Sequence, residues 1–216
     1  MAGKLARLSI FPLGGAILFP RMQLPLHIFE PRYRALVSDA MARDRRIGMI
    51  QPRPAPGASA VNDRPPLFDI GCIGRIAHVE AMEDGRYNII LDGVSRFRMV
   101  REIDVTTPFR QIEVSLEGFE NDAEEQPLAL AARAALESES RRFADAQGYA
   151  VDWEAVARLD DESLVNGIAQ IAPFDVAAKQ ALLEAADIAE RAELLMQLMQ
   201  FFGRHQGGED DGVTLQ

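Results

Sequence analysis

In the first half of the chain, apolar residues fall into short runs and strict alternation. Ser9-Ile10-Phe11-Pro12-Leu13 and Ala16-Ile17-Leu18-Phe19-Pro20 are strand-like runs punctuated by Gly14-Gly15 and by prolines, which suit strand ends because they cannot donate to a ladder. Tyr33, Leu36, Val37, Ala40 and Met41 then recur at helical spacing, predicting a helix over residues 31–43. Pro31 fits its first turn, where a missing N–H is harmless. A strand over 47–51 precedes a Pro-, Gly- and Ala-rich loop over 52–66. Strands resume at Phe68, and Glu83-Asp84-Gly85-Arg86 reads as a hairpin turn, Asp-Gly being the pair that tolerates positive φ. Phe97 and Met99 alternate with Arg96 and Arg98, and Ile112, Val114 and Leu116 with Gln111, Glu113, Ser115 and Glu117. Several short strands of this period predict a closed or partly closed barrel.

The period changes after the acidic, polar stretch 117–126. Residues 128–147 are rich in Ala and Leu, with Gly148 as their stop; Asp161 precedes a run ending at Ala172-Pro173; Asp175 is placed to cap 176–186. Asp187 and Glu190 stand at capping-box spacing before Leu194, Leu195, Leu198, Met199 and Phe202, with Gly203 as the expected stop. That last stripe suits internal packing or dimerisation. The predicted organisation is therefore α+β: a β-rich part over 1–118, a helical part over 127–204 and a disordered polar tail over 205–216.

Charge sharpens this division. Residues 1–118 hold 16 Lys and Arg against 13 Asp and Glu, whereas 119–216 hold 7 against 20. An acidic half repels phosphate backbones, which disfavours nucleic acid as a partner of the whole protein. No run of about 18 apolar residues is present, so no transmembrane helix is expected. A single cysteine allows no internal disulfide, and the N-terminus lacks the pattern of a signal peptide, so cytoplasm is the expected location.

A set of motifs, taken in order, resembles a known family. Phe11-Pro12-Leu13, Leu18-Phe19-Pro20, Leu24-Pro25-Leu26 and Ile28-Phe29-Glu30-Pro31-Arg32-Tyr33 resemble the opening of the Lon protease N-terminal domain. Gly71, Gly74, Asp84-Gly85, Gly93 and Arg96-Phe97 continue the pattern, and 164–172, 178–184 and 187–196 resemble the helices that follow. The resemblance implies a PUA-like β pseudo-barrel with an α-helical bundle behind it. It also implies a protein-interaction role, since in Lon this region recognises unfolded or tagged substrates. Lon continues into an ATPase and a Ser-Lys protease, whereas this sequence stops first, implying a stand-alone, non-catalytic form.

The residues agree with that expectation. Lys4 and Lys179 are the only lysines, and neither stands in the Gly-x-x-x-x-Gly-Lys loop that holds phosphates. No Gly-x-Ser-x-Gly elbow occurs. Cys72 falls in a predicted strand and reads as a small core residue. His27, His78 and His205 match no metal-ligand spacing, and His78, alternating with apolar neighbours, reads as a structural histidine. Glu30 and Asp84 are better read as a helix start and a turn than as an acid/base pair. No cofactor or metal is expected.

Arg43, Arg45 and Arg46, with Arg96, Arg98 and Arg101, leave RNA binding as an alternative, although no aromatic stands near Arg43 and Phe97 is expected to point into the core rather than serve as a stacking platform. A further alternative is an adaptor or regulator for a separate protease. The leading expectation is an apolar groove, placed between barrel and helices, that binds extended or unfolded polypeptide by apolar burial and strand addition. Glu30, Arg32 and Arg34 are its candidate surface contacts, with Phe29 and Tyr33 assigned to the core.

Overall fold

The computed structural model describes residues 5–54 and 64–205 of the chain. The contact pattern divides them into two compact units, with the boundary between Glu125 and Gln126. The expected tail from residue 206 and most of the Pro-rich loop, 55–63, lie outside the described residues, as does Lys4.

The first unit is built on a six-stranded sheet. Its strands are β1 (Ala6–Pro12), β2 (Gln23–Ile28), β3 (Arg46–Ile50), β4 (Ile70–Ala81), β5 (Tyr87–Ile103) and β6 (Gln111–Ser115), with helix α1 (Pro31–Met41) between β2 and β3. β1 pairs with β3 in parallel and with β6 antiparallel. β5 is 17 residues long and serves three partners, β4 along its length, β2 at its start and β6 at its end. The β5–β6 pairing closes β1, β3, β4, β5 and β6 into a barrel, and β2 adds to the same sheet along the first part of β5. Fold class and pseudo-barrel are thus as the resemblance implied.

The turn between β4 and β5 is the expected one, with Gly85 at φ +78°. Bulges bend the long ribbon: Ile76 faces Leu91 and His78 faces Ile90, leaving Ala77 as the extra residue. That insertion resets the alternation. His78 consequently points outward and is exposed, correcting the structural role expected for it.

Two further expectations change. Ala16 to Pro20 is not a strand; Ile17, Leu18 and Phe19 are buried outside any ladder. The segment crosses β5 at Gly93, where the Gly93 N–H donates to the Met22 carbonyl at 2.8 Å and the Arg21 N–H to the Gly93 carbonyl at 2.9 Å. A Cβ at Gly93 would overlap the Phe19 carbonyl, so only glycine permits this approach. Conversely β2, read only as a motif in sequence, is a true strand, and Pro25 within it marks an edge. One core cluster joins Phe11, Leu18, Tyr33, Leu36, Val37 and Ile47, and a second joins Leu8, Ile10, Ile73, Phe97 and Ile112.

Arg96 departs furthest from its sequence reading. Its alternation with Phe97 would place it on a solvated strand face, yet it is 3 % exposed. Its guanidinium pairs with Asp122 at 2.8 Å, its backbone N–H donates to the same carboxylate at 2.7 Å, and Phe119 lies under it at 4.9 Å. Asp122 sits in a 3-10 turn over Glu120–Ala123, inside the acidic stretch read as a boundary. Part of that stretch is therefore an anchor of the barrel.

The second unit holds α2 (Leu130–Ala146), α3 (Trp153–Ala157), α4 (Asp161–Ile171), α5 (Val176–Glu184) and α6 (Ile188–His205). Carboxylates start most of them. Asp152, Asp160 and Asp175 each accept N–H bonds at the N-termini of α3, α4 and α5. Asp187 accepts from the Glu190 N–H at 2.9 Å, while the Glu190 carboxylate takes the Ala186 N–H at 2.6 Å, one residue earlier than a standard capping box. The cap of α4 is Asp160, and Asp161 is its first residue. Gly203 does not stop α6, which continues to His205.

Candidate functional site

Among the described residues an apolar cleft lies wholly within the second unit. Leu164 and Met199, both 1 % exposed, form its floor with Phe143, Ala144 and Ala172. Tyr149, Val151, Leu159 and Ile171 line it from the rim, and Ile171 is 80 % exposed although it is a large aliphatic residue. The cleft has a volume of about 420 Å³, and the polar groups on its mainly apolar walls are the hydroxyls of Ser140, Tyr149 and Ser163 and the Trp153 indole N–H. Roughly 300–1,000 Å³ is typical of sites that take a ligand of drug size or a few side chains.

Local sequence explains the cleft. α4 carries apolar residues on two sides, so that Leu164 and Val165 are buried while Ile168 and Ile171 remain for the cleft. α4 ends at Ala172 because Pro173 cannot continue it, which leaves Ile171 in the last turn without a partner helix over it. α3 is a single short helix set by Asp152, and it presents Trp153 and Val156 to the cleft. Trp153 is the chain's only tryptophan; the Arg141 guanidinium covers one face of its ring at 4.6 Å. Sequence reasoning missed α3, and the Asp152-Trp153-Glu154 start was the signal available.

The predicted contacts stand in the barrel unit, at the start of α1. Glu30 and Arg32 form an ion pair at 2.9 Å, and Arg32 lies over the Tyr33 ring at 4.7 Å. Arg34 packs on Gly85 of the β4–β5 turn. Tyr33 is buried as expected. Phe29 is not: it is 60 % exposed, with its ring stacked at 6.2 Å from that of His27, because the strand ends at Ile28 and turns the next side chain outward. Asp84 makes the turn as read. Its carboxyl is held below the usual carboxylate range by the Arg86 N–H first and then by the Arg86 guanidinium.

The free sheet edges are poor templates for an added strand. β2 carries Pro25, which breaks the row of outward donors, and the end of β4 carries the Ala77 bulge. The arginines are also largely committed. Arg43 pairs with Asp39 at 3.0 Å, Arg46 with Asp44 at 4.0 Å and Arg101 with Glu113 at 2.7 Å, while Arg96 is buried. The RNA reading thus loses one of its principal residues. Cys72 is fully buried, and burial pushes its thiol far above the ordinary range, leaving it a core residue without nucleophilic character. Lys179 is set in α5, its Nζ donating to the Gln170 carbonyl at 3.0 Å. Among the described residues no cluster of His, Cys, Asp or Glu could hold a metal ion, and no helix is long and apolar enough to cross a membrane.

Comparison with known proteins adds a family. The model of the ATP-dependent protease La (LON) substrate-binding domain matches residues 7–200. Lon protease 1 of Syntrophobacter fumaroxidans is 29% identical over 87% of this chain, and Lon protease of Escherichia coli K12 is 26% identical over 89%. The chain spans about a quarter of those relatives, 23% and 24% of their lengths. In fold it is similar to a Lon N-terminal domain protein from Xanthomonas campestris, with a TM-score of 0.64 at 21% identity, covering 89% of this chain and 98% of that one. The N-terminal domain of a Mycobacterium avium complex Lon protease superposes with a TM-score of 0.62 at 20% identity, covering 90% and 98%.

Proposed function

The chain belongs to the family of Lon substrate-binding domains, and from that premise we propose that it binds extended or unfolded polypeptide, without catalysis, through the apolar cleft of its helical unit. The observation that carries this reading is the rim of exposed Tyr149, Val151, Leu159 and Ile171 above a buried apolar floor. Exposed apolar surface gathered in one concave place is a binding feature rather than a packing requirement. Only a few side chains fit. Burying three would yield about 5–9 kcal/mol gross, of which association consumes 4 kcal/mol or more. The net is about 5 kcal/mol at most, so the expected affinity is weak, about 0.2 mM at best, as suits transient capture of many sequences.

Glu30, Arg32 and Arg34, with Phe29 exposed beside them, are proposed as a secondary contact on the barrel unit. Fluorescence anisotropy with labelled unfolded proteins tests the reading. Saturable binding that Ile171→Ser weakens supports it; no binding across a diverse panel, or binding indifferent to Ile171→Ser and Leu159→Ser together, refutes it. Capture of one defined folded protein in place of unfolded probes would favour the adaptor role.

A further inference from the structure

Resting on that reading of the cleft, we propose that it selects apolar segments flanked by lysine or arginine over the same segments flanked by aspartate or glutamate. The cleft walls are apolar, so any charge preference must come from residues bordering the lining ones. Four exposed carboxylates do so: Asp145 follows Ala144, Asp152 lies between Val151 and Trp153, Glu154 follows Trp153, and Asp160 follows Leu159. Three arginines border it as well, Arg141 after Ser140, Arg142 before Phe143 and Arg158 before Leu159. Arg141 is drawn onto the Trp153 ring. Glu139, which precedes Ser140, is neutralised by Arg142 at 2.6 Å.

The wider surface has the same sign. Residues 126–203 hold 6 Lys and Arg against 13 Asp and Glu, and Arg133 and Arg191 are taken up internally by Asp161 and by Asn166. A bound chain leaving the cleft at either end therefore passes through a negative field. Part of the charge on Asp152 and Asp160 is offset by the helix starts that they cap. The preference is accordingly modest, about fivefold between oppositely flanked peptides at low salt, and it fades once the Debye length falls to about 3 Å near 1 M salt.

The test uses three tryptophan-free peptides with one shared leucine- and phenylalanine-rich core and flanks of Lys, Ser or Glu, titrated against the full chain while Trp153 emission is followed. The expected order of affinity is Lys, then Ser, then Glu, converging at high salt. Asp152→Asn with Asp160→Asn keeps both caps, since Asn accepts the same N–H bonds, and should narrow the Lys-to-Glu ratio while leaving the Ser-flanked peptide unchanged. Equal binding of all three peptides, a reversed order, or a ratio unmoved in the double variant overturns the charge preference and leaves the cleft standing. Failure of every peptide to perturb Trp153 or to bind overturns the cleft itself.

Discussion

The two units satisfy their side chains in opposite ways. In the barrel unit strong polar groups are closed on one another: Arg96 on Asp122 in the interior, Arg53 on Asp69, Arg101 on Glu113 and Arg110 on Glu102 outside. Its free edges carry a proline and a bulge. The helical unit also pairs Arg133 with Asp161 and Arg142 with Glu139, but it spends Asp152, Asp160, Asp175 and Asp187 on helix starts and leaves apolar surface uncovered at the cleft. The barrel unit also leaves large apolar residues exposed, Phe29 among them, but the helical unit lines one cleft with Tyr149, Val151, Leu159 and Ile171. On the proposed reading, gathered apolar surface rather than fold marks the binding element.

The sharpest way to break this contrast is at the buried pair. Asp122→Ala would leave a guanidinium unpaired in the interior and should destabilise the barrel unit by about 3–5 kcal/mol, read by chemical denaturation. Replacing both partners, Arg96→Met with Asp122→Leu, should recover most of that loss. If the single variant were as stable as the parent, the barrel would not depend on its buried pair.

The corresponding polar anchor of the helical unit is smaller. Arg191 donates to the Asn166 side chain at 2.7 Å and to the Leu182 carbonyl at 2.9 Å. Arg191→Met should cost about 1–3 kcal/mol through the acceptors it leaves unsatisfied. Loss of a single cap, Asp175→Ala, should cost about 1 kcal/mol, with Asp175→Asn close to the parent. Circular dichroism on heating would rank the three.

Acid offers a subtler comparison. The Asp161 carboxyl is held below its usual range, first by the Leu128 N–H at 2.7 Å and then by Arg133 at 2.6 Å. A depressed folded pKa gives stability that is present above the unfolded value of about 3.9 and is lost as pH falls through the folded one. Asp161→Asn should therefore be less stable at neutral pH and converge with the parent below about pH 4. Parallel pH profiles would remove Asp161 from the account. Smallest of all in stability is Ile171→Ser, expected within about 0.5 kcal/mol of the parent because the side chain is already exposed, yet weakening polypeptide binding severalfold.

Much of the architecture was legible because it rests on local rules. The α1 stripe of Tyr33, Leu36, Val37 and Ala40, the Asp84-Gly85 turn and the Asp175 and Asp187 caps are each written within a few residues. What escaped depends on distant partners. Arg96 alternates with core residues as any surface arginine would, and only Asp122, 26 residues away, makes its burial possible. His78 was misplaced by a bulge that no local signal announces. Phe29 looks like core until the strand end turns it outward. The cleft was illegible for the same reason: Ile171 resembles any residue of a last helical turn, and its environment is assembled from α2, α3, α4 and α6. Glu30, Arg32 and Arg34, expected as surface contacts, are half-buried, and Glu30 and Arg32 hold each other.

Trp153 makes the central claim directly measurable, because the only tryptophan lines the cleft. Titration with a tryptophan-free unfolded protein, such as reduced and carboxymethylated ribonuclease, should shift its emission to the blue saturably, and Ile171→Ser should weaken that response. Binding seen by anisotropy with Trp153 emission unchanged would place the polypeptide elsewhere and contradict the assignment.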